Sequence, residues 1–123
     1  MSSETSTRHY HVAARSTDVF GRVLCSTRDH HFVIDGPVQN GAPGEEVTPA
    51  EAFLAGIAAC AVELIQSFEP ALESVHVEIE GVLDRDNPVR EDVTVFNSIR
   101  LRIQLEGVEP DEAERLVERF KGR

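Results

Sequence analysis

Thr48-Pro49-Ala50-Glu51-Ala52-Phe53-Leu54-Ala55-Gly56-Ile57-Ala58-Ala59-Cys60-Ala61-Val62-Glu63-Leu64-Ile65 is the stretch on which the reading of this 123-residue chain turns. It opens with the signature of a helix start. Thr48 can cap free backbone N–H groups, Pro49 suits the first helical position, and Glu51 can reach back to the Thr48 backbone. From Ala52 onward the helix is built almost wholly of apolar and small residues, and it ends at Glu69-Pro70, because the residue before a proline avoids the helical region. A helix without a polar face has to be surrounded by protein. Cys60, near its middle, is therefore either inert packing among alanines or the centre of a buried redox site.

Outward from this helix, the preceding third of the chain reads as strands. His9 to Ser16, Val19 to Thr27 and His31 to Asp35 are the three candidates, with a turn around Ser16-Thr17-Asp18 and an exit at Gly36-Pro37. Gln39 to Val47 is a Gly/Pro-containing surface loop. Beyond the helix the alternation is strict. Val75, Val77, Ile79 and Leu83 share one face of a strand, and Ile99, Leu101, Ile103 and Leu105 share one face of another. On the outer faces, Glu78 and Glu80 are expected to pair with Arg100 and Arg102. A polar loop, Asp84 to Asp92, lies between these strands. Glu109-Pro110 starts a second helix with Ala113, Leu116, Val117 and Phe120 on one stripe.

The expected fold class is thus α+β, in the order βββ–α–ββ–α: residues 8–123 as a single domain behind a flexible tail, residues 1–7. A chain of this size cannot enclose a helix on every side with one sheet and one further helix. Burial of the central helix against its copy in a homodimer is the natural remedy.

Composition bounds the function. A formal charge of −10 disfavours nucleic acid and anionic membrane surfaces as partners. The segment Met1 to Thr7 is polar and lacks the apolar run of a secretory signal. The apolar part of the central helix is about fourteen residues, short of the roughly 20 that span a bilayer. A cytoplasmic protein with no membrane partner is expected. Two cysteines, Cys25 and Cys60, are too few for a disulfide scaffold and match no zinc spacing, so both are expected to be free thiols. His9 and His11 share one strand face and His30-His31 begin another, but no carboxylate or cysteine joins them at ligand spacing. No metal and no cofactor are called for. Cys60 lies about three turns into its helix, out of reach of the N-terminal dipole, and a reactive thiolate there would need a cation from another segment. Arg15, Arg22 and Arg28 are the candidates.

The run Pro49-x-Glu51-x-Phe53-Leu54-Ala55-Gly56-Ile57-Ala58-Ala59-Cys60 resembles the central-helix motif of the OsmC/Ohr family, named for osmotically inducible and organic-hydroperoxide-resistance proteins. Phe32-Val33-Ile34-Asp35-Gly36-Pro37 resembles the family's third strand and its exit, and Val77-Glu78-Ile79-Glu80-Gly81 the strand after the helix. Three matches in order cover nearly the whole chain from His9. The resemblance implies an intertwined homodimer in which the thiolate at Cys60 attacks the O–O bond of an organic hydroperoxide and becomes a sulfenic acid. A second thiol then condenses with it, and a thiol reductant restores it. It further implies a glutamate at the helix start and an arginine from the N-terminal region that hold the thiolate and polarise the peroxide.

The chain departs from that pattern at three places. Ala50 stands where the peroxidases carry their glutamate, and Glu51 comes one residue later, about 100° around the helix. Val19 falls near the position of the family's arginine, leaving Arg22 or Arg15 to substitute. The sequence ends at Gly122-Arg123, where a segment bearing the second cysteine is expected. The site expected is therefore Cys60 as attacking thiol, Glu51 as supporting carboxylate, and Arg22 or Arg15 as cation. The competing expectation is a non-catalytic dimer that binds a small apolar ligand, with Cys60 as packing.

Overall fold

The order of elements is β1 (Ala13–Ser16), β2 (Arg22–Thr27), β3 (His30–Asp35), α1 (Pro49–Phe68), β4 (Ser74–Val82), β5 (Ser98–Glu106) and α2 (Pro110–Lys121), with one 3-10 turn at Val38–Asn40. This is the mixed βββ–α–ββ–α architecture that the sequence pattern predicts. The structure, a computed structural model, describes residues 6–122. Residues 1–5 of the expected N-terminal tail, and Arg123, lie outside the described residues. The chain divides into two compact units, Met1–Ala52 and Phe53–Arg123.

The first unit is an antiparallel sheet in the order β1-β2-β3. The β2–β3 hairpin pairs Thr27 with His30, leaving only Arg28 and Asp29 for the turn, and Arg28 takes a left-handed φ of 54° to make it. That register sets Arg22 opposite Asp35 and Cys25 opposite Phe32. Two strands start later than the sequence pattern predicts. β1 begins at Ala13 rather than His9, and β2 at Arg22 rather than Val19. The second difference has a local cause. Thr17 Oγ1 accepts the Val19 N–H at 3.1 Å, and the Arg22 N–H closes a turn onto the Val19 carbonyl at 3.0 Å, so Val19 to Gly21 is used in bending the chain. Gly21 sits in this turn at φ 83°, where a side chain would run into Ala42. Ala42 is itself buried, which brings the 36–47 loop back onto the sheet.

The second unit holds most of α1, the β4–β5 ribbon and α2. Strict register pairs Glu78 with Arg102 and Glu80 with Arg100, as the alternation predicts. Of these, Glu78–Arg102 approaches to 3.6 Å on an exposed face, a contact worth well under about 1 kcal/mol. The core comprises Ala61 and Ile65 of α1, both fully buried, and Leu116 of α2. Arg119 of α2 lies 4.1 Å above the Phe68 ring, fastening the end of α1 by a cation–π contact. The connection between β4 and β5 runs on to Asn97, five residues past the predicted polar loop. Its last part turns inward: Phe96 stacks on Phe53 with ring centroids 6.0 Å apart.

Within one chain only Ala61 and Ile65 of the α1 residues are buried. This agrees with the expectation that a chain of this size cannot enclose the helix on every side. Its ends also fall where Thr48 and Glu69-Pro70 predict them. One expectation about α1 needs correction: its apolar part was read as about fourteen residues, too short to span a bilayer. At 20 residues, with a mean hydropathy of 1.5, α1 is long and apolar enough by length and composition to cross a membrane. Yet it carries Glu51 and Glu63, and its open side combines the small residues Ala55, Gly56, Ala59 and Cys60 with Phe53, Glu63 and Ser67.

Candidate functional site

The start of α1 is closed by the reciprocal contacts that its sequence predicts. Glu51 Oε1 accepts both the Thr48 N–H and the Thr48 hydroxyl at 3.0 Å, while the Glu51 N–H points back to Thr48 Oγ1 at 3.4 Å. These two donors, the backbone N–H first, hold the Glu51 carboxyl below its ordinary pKa and keep it ionised. Glu51 thus has a complete capping role. Its spacing from Cys60, nine residues along one helix, corresponds to about 13.5 Å of rise and half a turn, so the two side chains leave the helix on opposite sides.

Arg22 is equally occupied. Its Nε and Nη2 donate to Asp35 Oδ1 and Oδ2 at 2.8 and 2.9 Å, a bidentate fork, and Nη2 also donates to Glu45 at 2.7 Å. Asp35 is fully buried, and its Oδ2 further accepts the backbone N–H groups of Glu45 and Glu46 at 2.9 and 3.0 Å. Every polar atom of this buried carboxylate is satisfied, which is the condition for keeping a charge inside a protein. The Arg22 guanidinium, then the two backbone donors, pull the Asp35 carboxyl far below the usual carboxylate range. Asp35 and Glu45 in turn push Arg22 above its ordinary value. The group ties the strand ends to the loop that leads into α1. Sequence reasoning quoted Asp35 as part of a strand exit but missed this role. The signal was there: once Arg28-Asp29 is recognised as a tight hairpin turn, opposite charges fall on the paired positions Arg22 and Asp35.

Arg15 differs. It lies on β1 opposite Leu24, exposed, and its guanidinium has no partner among the described residues. Of the two arginines put forward from sequence, Arg15 is the one with all its donors free, and Arg22 retains only those of Nη1.

Cys60 is a free thiol, exposed rather than buried in the single chain, and makes no hydrogen bond among the described residues. It belongs to an open stripe at helical spacing: Phe53, Gly56, Cys60, Glu63 and Ser67 are all exposed. At Gly56 a β-carbon would meet nothing within 4 Å. Upstream, the stripe is bounded by the Phe53–Phe96 pair, and Phe96 lies against Gly81. The arrangement presents a free thiol on an exposed, mainly apolar helix face. Cys25, by contrast, is buried in the middle of β2. His31 Nδ1 lies 2.7 Å from Ser26 Oγ across the hairpin. Among the described residues no cluster of three or more His, Cys, Asp or Glu is arranged to hold a metal ion.

Comparison with solved structures places this architecture. An OsmC-like protein from Mycoplasma pneumoniae superposes with a TM-score of 0.79 at 16% identity, over 94% of this chain and 82% of that one. An organic hydroperoxide resistance protein from Legionella pneumophila gives 0.71 at 23% identity, over 94% and 84%. A Vibrio cholerae protein assigned by name to organic hydroperoxide resistance, with captopril bound in one of its active sites, gives 0.60 at 19% identity, over 95% and 81%. No curated protein sequence matches the chain. The family model described as OsmC-like protein matches residues 42–123, which hold α1 with its Cys60, the β4–β5 ribbon and α2. With the element order, the helix motif and the matched span in agreement, the chain belongs to the OsmC-like protein family.

Proposed function

We propose that this protein is a thiol-dependent peroxidase that reduces organic hydroperoxides through Cys60 and works as a homodimer. The observation that carries the reading is the free Cys60 thiol, presented on an open apolar face of α1 in an OsmC-like chain. The thiolate attacks one oxygen of the substrate ROOH, the O–O bond breaks, and the departing alkoxide takes a proton to leave as the alcohol ROH. Cys60 is left as a sulfenic acid. An external thiol condenses with it, releasing water and forming a mixed disulfide, and a second thiol displaces Cys60 and restores it. The apolar side chains around the thiol favour an organic substrate over hydrogen peroxide.

The expected site residues differ in what they bring to this scheme. Glu51 supports the site by holding the start of α1 in place. The thiolate and the developing alkoxide need a cation, and Arg15, with its unpaired guanidinium, is the better candidate; Arg22 is engaged by Asp35 and Glu45. A homodimer accounts for two features of the single chain. The β4–β5 sheet has only two strands and therefore two unpaired edges, and the Gly56–Cys60 face of α1 is uncovered. Its proposed site of action is the cytoplasm.

The test follows cumene hydroperoxide consumption in the presence of a dithiol, comparing wild type, Cys60→Ser and Arg15→Ala. Wild type is expected to turn over. Cys60→Ser is expected to fall to the background rate, and Arg15→Ala by about 10²-fold or more, the loss typical of a transition-state donor. Equal rates in wild type and Cys60→Ser would end the peroxidase reading and favour a non-catalytic dimer that binds an apolar ligand.

A further inference from the structure

The connection between β4 and β5 carries a feature that the Cys60 chemistry does not use. Residues 83–85, 88 and 90–95 wall an open cavity of about 440 Å³, a volume within the range of small-molecule sites. The segment is braced rather than loose. Asn97 accepts the Asp84 N–H and donates to the Asn87 carbonyl, both at 2.7 Å. Asp84 in turn accepts from Asn87 Nδ2 and the Asp86 N–H, both at 3.0 Å. These last contacts, Asn87 first, hold the Asp84 carboxyl below its ordinary pKa.

Five charged side chains line the cavity, and their pairing is uneven. Arg90 and Asp92 satisfy each other in a two-point contact at 3.0 and 2.6 Å. Asp84 is satisfied by the brace. Arg85 and Glu91 remain: each lines the cavity, and neither has a partner among the described residues, including the other. Between the charges the wall is apolar, with Leu83 42%, Val93 49% and Val95 39% exposed. A purely anionic ligand would meet Glu91 and the field of a chain with a formal charge of −10; a cation would meet Arg85. A molecule bearing both charges satisfies both groups.

We propose that this cavity is a binding site for a small zwitterion, an α-amino acid or short peptide. Its carboxylate is held by Arg85, its ammonium by Glu91, and an apolar side chain lies on Leu83, Val93 and Val95. The site is independent of the peroxidase reading, since no group in it takes part in the Cys60 chemistry.

Titration calorimetry on the full chain with glycyl-L-valine tests this. Saturable binding is expected in wild type. Arg85→Gln and Glu91→Gln are each expected to weaken it by about ten-fold or more, as loss of one charged contact does. Arg102→Gln, the same charge change on the outer face of β5, is expected to leave it unaltered. N-acetyl-glycyl-L-valine, which lacks the ammonium, and glycyl-L-valinamide, which lacks the carboxylate, are each expected to lose a comparable factor. Absence of saturable binding overturns the proposal. So does an analogue that binds as tightly as the dipeptide, or an equal loss in Arg102→Gln.

Discussion

Asp35 is the most constrained side chain in the first unit, and its surroundings make a definite claim about acid stability. Its carboxyl is depressed in the folded state by Arg22 and by the Glu45 and Glu46 N–H groups. A depressed carboxyl contributes stability that is fully present above the unfolded value, near pH 4, and is lost as pH falls through the folded value. Asp35→Asn removes the charge while nearly keeping the shape. We expect its thermal midpoint at pH 7 to drop by on the order of 10 °C relative to wild type. The gap is expected to narrow progressively below about pH 4. Midpoints recorded from pH 7 to 2.5 check this, and a gap of constant size over that range would rule the account out. Glu51 invites a second test at the same scale. Glu51→Ala removes the acceptor that is held ionised at the helix start, and a lower thermal midpoint is expected. If Glu51 serves only as a cap, peroxide turnover measured well below the melting temperature stays near wild type. A hundred-fold fall in turnover would instead give it a direct role.

Among the elements, β4 and α1 meet at a point where only one residue type fits. A β-carbon at Gly81 would lie 2.7 Å from the Phe96 ring and 3.2 Å from Leu54. Gly81→Ala must therefore displace Phe96 from its stack on Phe53, at about 1–3 kcal/mol. Gly56, on the open stripe of α1, gives the opposite expectation in an isolated chain, since alanine in a helix is favoured over glycine by about 1 kcal/mol. Urea unfolding at one fixed protein concentration compares the two. Destabilisation by Gly81→Ala of under half a kcal/mol, on the order of the noise of surface substitutions, would show that the Phe96 anchor is not formed.

For the whole molecule the decisive quantity is the oligomeric state. The proposed dimer covers the Gly56–Cys60 face, so a large side chain at Gly56 should obstruct the partner while leaving the chain itself unstrained. Sedimentation of wild type is expected to give a dimer mass, and Gly56→Leu a shift to monomer with peroxide turnover lost in parallel. A wild-type chain that remains monomeric at all concentrations would remove the dimer from the proposal. A Gly56→Leu variant that stays dimeric would show that the contact does not run through this face.

Local rules decided everything that was legible from sequence. The Thr48-Pro49-Ala50-Glu51 box, the alternation in β4 and β5 and the stripe of α2 carry their own periodicity and capping chemistry. The element order, and with it the family, was therefore readable residue by residue. The start of β2 was read less well, because hydrogen bonds at Thr17 decided it and not hydrophobic pattern. Burial was beyond sequence. An all-apolar helix says only that something must cover it, and the structure shows that one chain covers Ala61 and Ile65 and leaves Cys60 open. The engagement of Arg22 by Asp35 and the return of Phe96 to Phe53 also needed tertiary structure. Both depend on chain segments brought together by turns, and a side chain's availability for chemistry is set by what those turns place beside it.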